Sequence, residues 1–162
     1  MTKELVKPEW MSDADWEDTL GKVESLDRIR RDAQEHLRIY ASTDGQEGFE
    51  RAAPCLLLTT IGRKSGKQIT TPLNFWQQGD TYVVIGSLAG YDRDPGWALN
   101  LKKNPHAWVQ IKEQRLEVTA RVVTGAERER LWVRSNEVLP LWQVFQQRTE
   151  REFPIFVLTP KQ

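Results

Sequence analysis

From Leu56 onward the apolar residues stop recurring every three or four positions and fall into short runs rich in β-branched and aromatic side chains, separated by turn residues. Residues 56–61 read as a buried strand, Gly62-Arg63-Lys64-Ser65-Gly66-Lys67 as a tight turn, and 68–76 as a returning strand. Pro72 within that return marks an edge or a bulge, because proline cannot donate to a second ladder. Gln78-Gly79-Asp80 turns the chain again into a strand over 81–86. Three strands therefore run in succession before any helix intervenes. A parallel nucleotide-binding sheet needs strand and helix to alternate, so that class is excluded.

The rest of the chain fits an antiparallel sheet with helices outside it. Residues 108–112 and 116–123 alternate apolar with polar positions and form a hairpin with its tip at Glu113-Gln114-Arg115, and 155–158 reads as a last strand. Asp94 caps a short helix with Pro95 at its first position, and Asn104-Pro105 stops it. Thr124-Gly125-Ala126-Glu127 has capping-box spacing and opens a helix to about Glu137, with another starting near Pro140. Upstream, Val23, Leu26, Ile29, Ala33, Leu37 and Tyr40 mark one face of a helix over 23–40. A shorter helix begins at Ser12-Asp13-Ala14-Asp15 and breaks at Gly21. The expected fold is mainly β with flanking helices, an antiparallel split β-barrel. With 162 residues it forms one domain overall: a helical arm over 1–45 and the barrel over 46–162.

Lys plus Arg and Asp plus Glu each total 23, so no general attraction to nucleic acid is expected and any anion site must be local. No apolar run approaches the ~18 residues that cross a bilayer. The polar face of the 23–40 helix mixes Glu24, Asp27 and Glu35 with Arg28, Arg30, Arg31 and Arg38, which argues against peripheral membrane contact and for packing on the barrel. Cys55 is the only cysteine and opens an apolar run, as a buried, inert thiol would. The expected location is the cytoplasm. Nothing in the sequence signals an oligomeric state.

Two segments carry candidate chemistry. In the turn around Gly62 and Gly66, main-chain N–H groups can converge on an anion while Arg63 and Lys64 add charge-assisted hydrogen bonds. Only three residues separate the glycines and Gln68 stands where a Walker loop needs Ser or Thr, so it is not a P-loop. A solvated basic hairpin tip has the same composition. In Ile85-Gly86-Ser87-Leu88-Ala89-Gly90, small residues leave a strand and let a flat ring approach the backbone, and Asp94-Pro95-Gly96-Trp97 places a helix N-terminus beside it. An ordinary loop and cap also accounts for these residues. Most of the seven tryptophans are core filling. Neither His36 nor His106 has partners at ligand spacing, and no metal site is assigned.

Taken in order, LLLTTIGRKSGKQITTPLNF, YVVIGSLAG, DPGWALNLKKNP and FPIFVLTP resemble the deazaflavin-dependent nitroreductase family, over about Leu37 to Pro160. The resemblance implies a split barrel that binds the reduced 8-hydroxy-5-deazaflavin coenzyme, factor 420. It assigns the cofactor phosphate to Arg63, Lys64 and Ser65, the cofactor-lining strand to Ile69, Thr70, Thr71, Pro72, Leu73 and Asn74, the ring to Ile85, Gly86, Ser87 and Leu88, and a further cofactor-binding segment to Gly96, Trp97 and Asn100. It implies hydride transfer from carbon 5 to a small planar acceptor such as a quinone or an activated alkene, with Ser87 as the catalytic hydrogen-bond donor. Relatives that reduce nitroimidazoles carry tyrosines where this chain has Leu139, Trp142 and Phe145, which would line an apolar acceptor pocket. Many relatives also have Lys after the loop serine, where this chain has Leu88. A barrel that binds a cofactor or apolar ligand without turnover, and an FMN-dependent reductase, are the competing expectations.

Overall fold

The structure, a computed structural model, describes residues 4–162. Helices α1 (Asp13–Glu24) and α2 (Leu26–Ser42) precede strands β1 (Glu50–Arg51), β2 (Ala53–Ile61), β3 (Gln68–Asn74), β4 (Trp76–Gln78) and β5 (Thr81–Ile85). A 3-10 turn at Leu88–Gly90 leads to α3 (Gly96–Lys103), the hairpin β6 (His106–Ile111) and β7 (Gln114–Val122), helices α4 (Gly125–Val138) and α5 (Leu141–Gln146), and β8 (Ile155–Pro160). The strands follow the order β1-β2-β6-β7-β8-β5-β4, with β3 also paired to β2. Every pairing is antiparallel. This is the curled sheet with flanking helices that the strand spacing implied.

Alternation along β5 and β8 shows how the sheet is buried on both faces. Tyr82, Val84, Phe156 and Leu158 point into one core with Leu56, Leu58 and Val109, while Val83, Ile85, Ile155 and Val157 pack beneath α4 and α5 with Trp142, Phe145 and Phe153. Trp76 joins this second core and donates from Nε1 to Ser135 Oγ at 2.8 Å, tying β4 to α4. Pro72 lies opposite Leu57 on β3, and no pairing other than that with β2 is formed there, so the strand tolerates its missing donor.

The N-terminal helices differ in their boundaries from the sequence pattern. Helix α1 runs straight through Gly21, whose missing Cβ leaves room for the Arg28 guanidinium that crosses it to reach Asp18. The break falls at Ser25, whose Oγ accepts from Arg28 N and caps α2. Tyr40 at the far end of α2 is fully buried and accepts at Oη from Lys112 N (2.8 Å), with the Cys55 carbonyl oxygen 3.1 Å away as its own acceptor. That contact fixes α2 against the sheet.

Two expected caps are not formed, for a shared reason. Pro95 rather than Asp94 occupies the N-cap of α3, and the Asp94 carboxylate binds Arg151 and Lys102 instead. Thr124 makes no side-chain cap at α4, and Glu127 pairs with Arg121. In each case the carboxylate pairs with an arginine from outside the helix, Arg151 or Arg121, a stronger partner than a main-chain N–H. Trp10 is 57% exposed, an exception to the tryptophans as core filling.

Candidate functional site

The turn that follows β5 has three left-handed residues in succession. Ser87 is right-handed (φ −77°), then Leu88, Ala89 and Gly90 are all left-handed at φ 42°, 50° and 79°. Left-handed non-glycine residues cost of order 1 kcal/mol or more each and persist only where the surroundings enforce them. The enforcement comes from the segment before β8. Arg151 donates to the carbonyl oxygens of Gly86 (3.0 Å), Ser87 (2.7 Å) and Tyr91 (2.9 Å) and to Asp94 Oδ1 (2.8 Å), and Arg148 donates to the Ala89 carbonyl oxygen at 2.6 Å. Burial pulls the Arg151 pKa down while the adjacent Asp94 carboxylate pulls it back up, so the pair stays ionic.

The basic turn between β2 and β3 is also held from beneath. Asn100 of α3, 2% exposed, accepts at Oδ1 from both Arg63 N (3.1 Å) and Arg63 Nη1 (3.0 Å) and donates from Nδ2 to Thr60 Oγ1 (3.0 Å). Lys103 Nζ donates to the Arg63 carbonyl oxygen. The guanidinium is thereby aimed at the start of α3, where a Cβ on Gly96 would be 3.9 Å from Arg63 Nη1. Ala98 N and Leu99 N both donate to the Pro95 carbonyl oxygen, so the first two N–H groups of α3 stay free for an anion or a polar ring edge.

Between these two turns lies a groove of about 750 Å³, within the ~300–1,000 Å³ range usual for small-molecule sites. Its wall includes Arg63 from the basic turn, Ile69, Thr70, Thr71, Pro72, Leu73 and Asn74 from β3, Ile85, Ser87 and Leu88 from the second turn, and Gly96, Trp97 and Asn100 from α3. Trp142 and Phe145 of α5 add aromatic surface to it. The structure thus gathers most of the residues singled out in the sequence.

Four of them stand elsewhere. Lys64 and Ser65 sit at the exposed tip of the turn, where Ser65 Oγ accepts from Lys67 N. Gly86 lies behind the wall, packed so closely that a Cβ would come within 2.8 Å of Pro154 Cγ. Leu139 is 6% exposed in the core under α4 and α5 and does not reach the groove.

The sequence pattern gave no hint of the groove's other wall. Leu26, Ile29, Arg30 and Ala33 of α2 line it together with Lys22, Arg51 and Arg93. Cys55 is also part of the wall, 2% exposed, with Asn74 Nδ2 donating to its sulfur at 3.2 Å. Burial pushes its thiol up to about 11, so the neutral form prevails through the physiological range. Native protein should therefore react with a thiol reagent at pH 8 far more slowly than protein in denaturant. Because the folded pKa is raised, the thiol's contribution to stability is complete below pH 9 and is lost as pH rises toward 11. Fast, stoichiometric labelling of the native chain would show the thiol to be open.

The family model for "F420H(2)-dependent quinone reductase" matches residues 32–160. The chain belongs to that family. An F420H(2)-dependent quinone reductase of Mycobacterium tuberculosis (strain H37Rv) is 38% identical over 129 residues, covering 76% of this chain and 87% of the relative. A solved F420-H2 dependent reductase is 36% identical with a TM-score of 0.60, covering 65% of this chain and 93% of its own. A second solved relative, described as a domain-swapped dimer, is 34% identical with a TM-score of 0.63 and covers 82% and 97%. The family match takes in the basic turn, β3, the turn after β5, α3 and α5, while Lys22, Leu26, Ile29 and Arg30 of the groove's other wall precede it. No helix among the described residues of this quinone reductase family member is long and apolar enough to cross a membrane.

Proposed function

We propose that this chain is a reductase that uses reduced factor 420 to reduce a planar electrophile, with quinones as the class that fits best. The observation that carries the reading is the groove itself: a fixed cation and a free helix N-terminus at Arg63 and Gly96, an apolar strand face along β3, and aromatic side chains from α5. A phosphorylated tricyclic coenzyme needs an anion site joined to a flat, mostly apolar slot, and these residues fit that requirement. When bound, the coenzyme supplies a hydride from its carbon 5.

The chain's own residues provide position and surroundings. Arg63, steadied by Asn100, holds the phosphate, and Lys64 at the turn's tip contributes long-range attraction. Ile69, Thr71 and Leu73 face the ring from β3, and Trp97 backs it from α3. Trp142 and Phe145 shape the acceptor's place and exclude water, which strengthens each polar contact inside. Ser87 Oγ makes no hydrogen bond within the described protein and is free to donate to an acceptor oxygen on which negative charge develops.

Oxidation of reduced factor 420 by menadione and by a bicyclic nitroimidazole, measured side by side, tests this reading. Menadione is expected to be reduced faster, because Trp142 and Phe145 offer no phenolic hydroxyl to a nitro group. Ser87→Ala should slow quinone turnover by about 10-fold to 100-fold with a smaller change in cofactor affinity. A faster nitroimidazole reaction would overturn the acceptor assignment, and no oxidation by any acceptor would favour a binding protein.

A further inference from the structure

Arg148 is 6% exposed, and no carboxylate pairs with it among the described residues. Its Nη1 donates to the Ala89 carbonyl oxygen at 2.6 Å, its Nη2 reaches the Val23 carbonyl oxygen at 3.4 Å, its guanidinium lies 4.8 Å from the Tyr91 ring centroid, and its Nε is buried with no partner. A buried cation with an open donor and no counter-ion is a poor device for stability alone, since an apolar side chain of similar volume usually serves as well or better. Its place in the fold supplies another use. The carbonyl oxygens of Gly86, Ser87 and Ala89 are all turned to Arg151 or Arg148, and the backbone passes from right-handed at Ser87 to left-handed at Leu88 and Ala89. That sequence of conformations brings successive N–H groups onto one concave side, an arrangement that receives anions and partially negative oxygens. Ser87, Leu88 and Ala89 all line the groove, and their N–H groups have no acceptor among the described residues.

We propose that Arg148 is a positioning residue for the reduction reaction, holding the N–H groups of Ser87, Leu88 and Ala89 toward the groove and adding an uncompensated positive charge behind them. The proposal rests on the deazaflavin reading of the groove. Arg148 also follows α5 directly, so the same short segment that carries Trp142 and Phe145 fixes the turn opposite them. Arg151 holds the outer carbonyls of the turn, while Arg148 alone holds its left-handed centre at Ala89.

The test compares wild type, Arg148→Lys and Arg148→Gln in three measurements: dissociation constant for oxidised factor 420 by fluorescence titration, kcat with menadione at saturating reduced cofactor, and Tm. Arg148→Gln is expected to lose about 10-fold to 100-fold in kcat while affinity, governed by the Arg63 end, changes less than about three-fold. Arg148→Lys, which keeps the charge and loses the fork, should fall between the two. The bound cofactor's absorption band should shift in Arg148→Gln and return toward wild type in Arg148→Lys. Wild-type kcat in either variant, or a fall in kcat matched by an equal loss of affinity, would overturn the proposal. If Arg148→Gln does not fold, Arg148→Lys decides alone by the same split. Failure of wild type to bind or oxidise factor 420 would instead reject the reading on which the proposal stands.

Discussion

Replacing Arg151 by Met is expected to destabilise the protein by about 3–5 kcal/mol, because it removes a buried cation whose partners remain buried. Its side chain is 13% exposed and donates to three main-chain carbonyls and to Asp94, whose own side chain is 14% exposed. Methionine matches the stem's volume and replaces none of these hydrogen bonds. Lys102 remains to Asp94 at 2.7 Å, so the carboxylate keeps one partner and the larger loss falls on the carbonyls of Gly86, Ser87 and Tyr91. Urea unfolding of the two proteins measures the difference. A loss below about 1 kcal/mol would mean that the turn after β5 holds its shape without the clamp.

Gly90→Ala should be comparably severe, for steric rather than electrostatic reasons. Gly90 lies at φ +79°, and an added Cβ would run into the Phe145 carbonyl oxygen and come within 3.1 Å of the Arg148 Cβ. The obstacle is main chain at the end of α5, not the tip of a flexible side chain, so the turn and α5 must separate. Overpacking and a left-handed alanine together amount to about 3–5 kcal/mol. Because Phe145 lines the groove, the separation should also weaken cofactor binding even where the variant stays folded. Thermal unfolding and fluorescence titration check both effects, and a variant with unchanged Tm would contradict the close approach.

Arg151 and Arg148 mark where the sequence stops being legible. The β2–β3 hairpin, the edge position of Pro72 and the β6–β7 hairpin follow from alternation and turn residues, which are local signals. The groove's β3 wall, Ser87 and the start of α3 are likewise close in sequence to the turns that place them. Arg148 and Arg151 act on carbonyls some sixty residues away, and nothing around them in the sequence separates a clamp from a solvated surface arginine. The α2 wall was hidden differently. Leu26, Ile29 and Ala33 have the spacing of any amphipathic face, and only the placement of α2 across β3 makes them groove residues. Asp94 and Glu127 show the reverse error, since a local capping pattern was present and a distant or neighbouring arginine took the carboxylate. Sequence rules for caps do not register such competition.

In the proposed function, the groove holds a phosphorylated deazaflavin anchored at the Arg63 turn. Direct titration of oxidised factor 420 and of FMN into wild type and Arg63→Ala measures it. Factor 420 is expected to bind wild type more tightly than FMN does, and Arg63→Ala should lose roughly 1.5–3 kcal/mol of charge-assisted hydrogen bonding, about ten-fold to a hundred-fold in Kd. Equal or tighter FMN binding, or a factor 420 Kd that Arg63→Ala leaves unchanged, would contradict it.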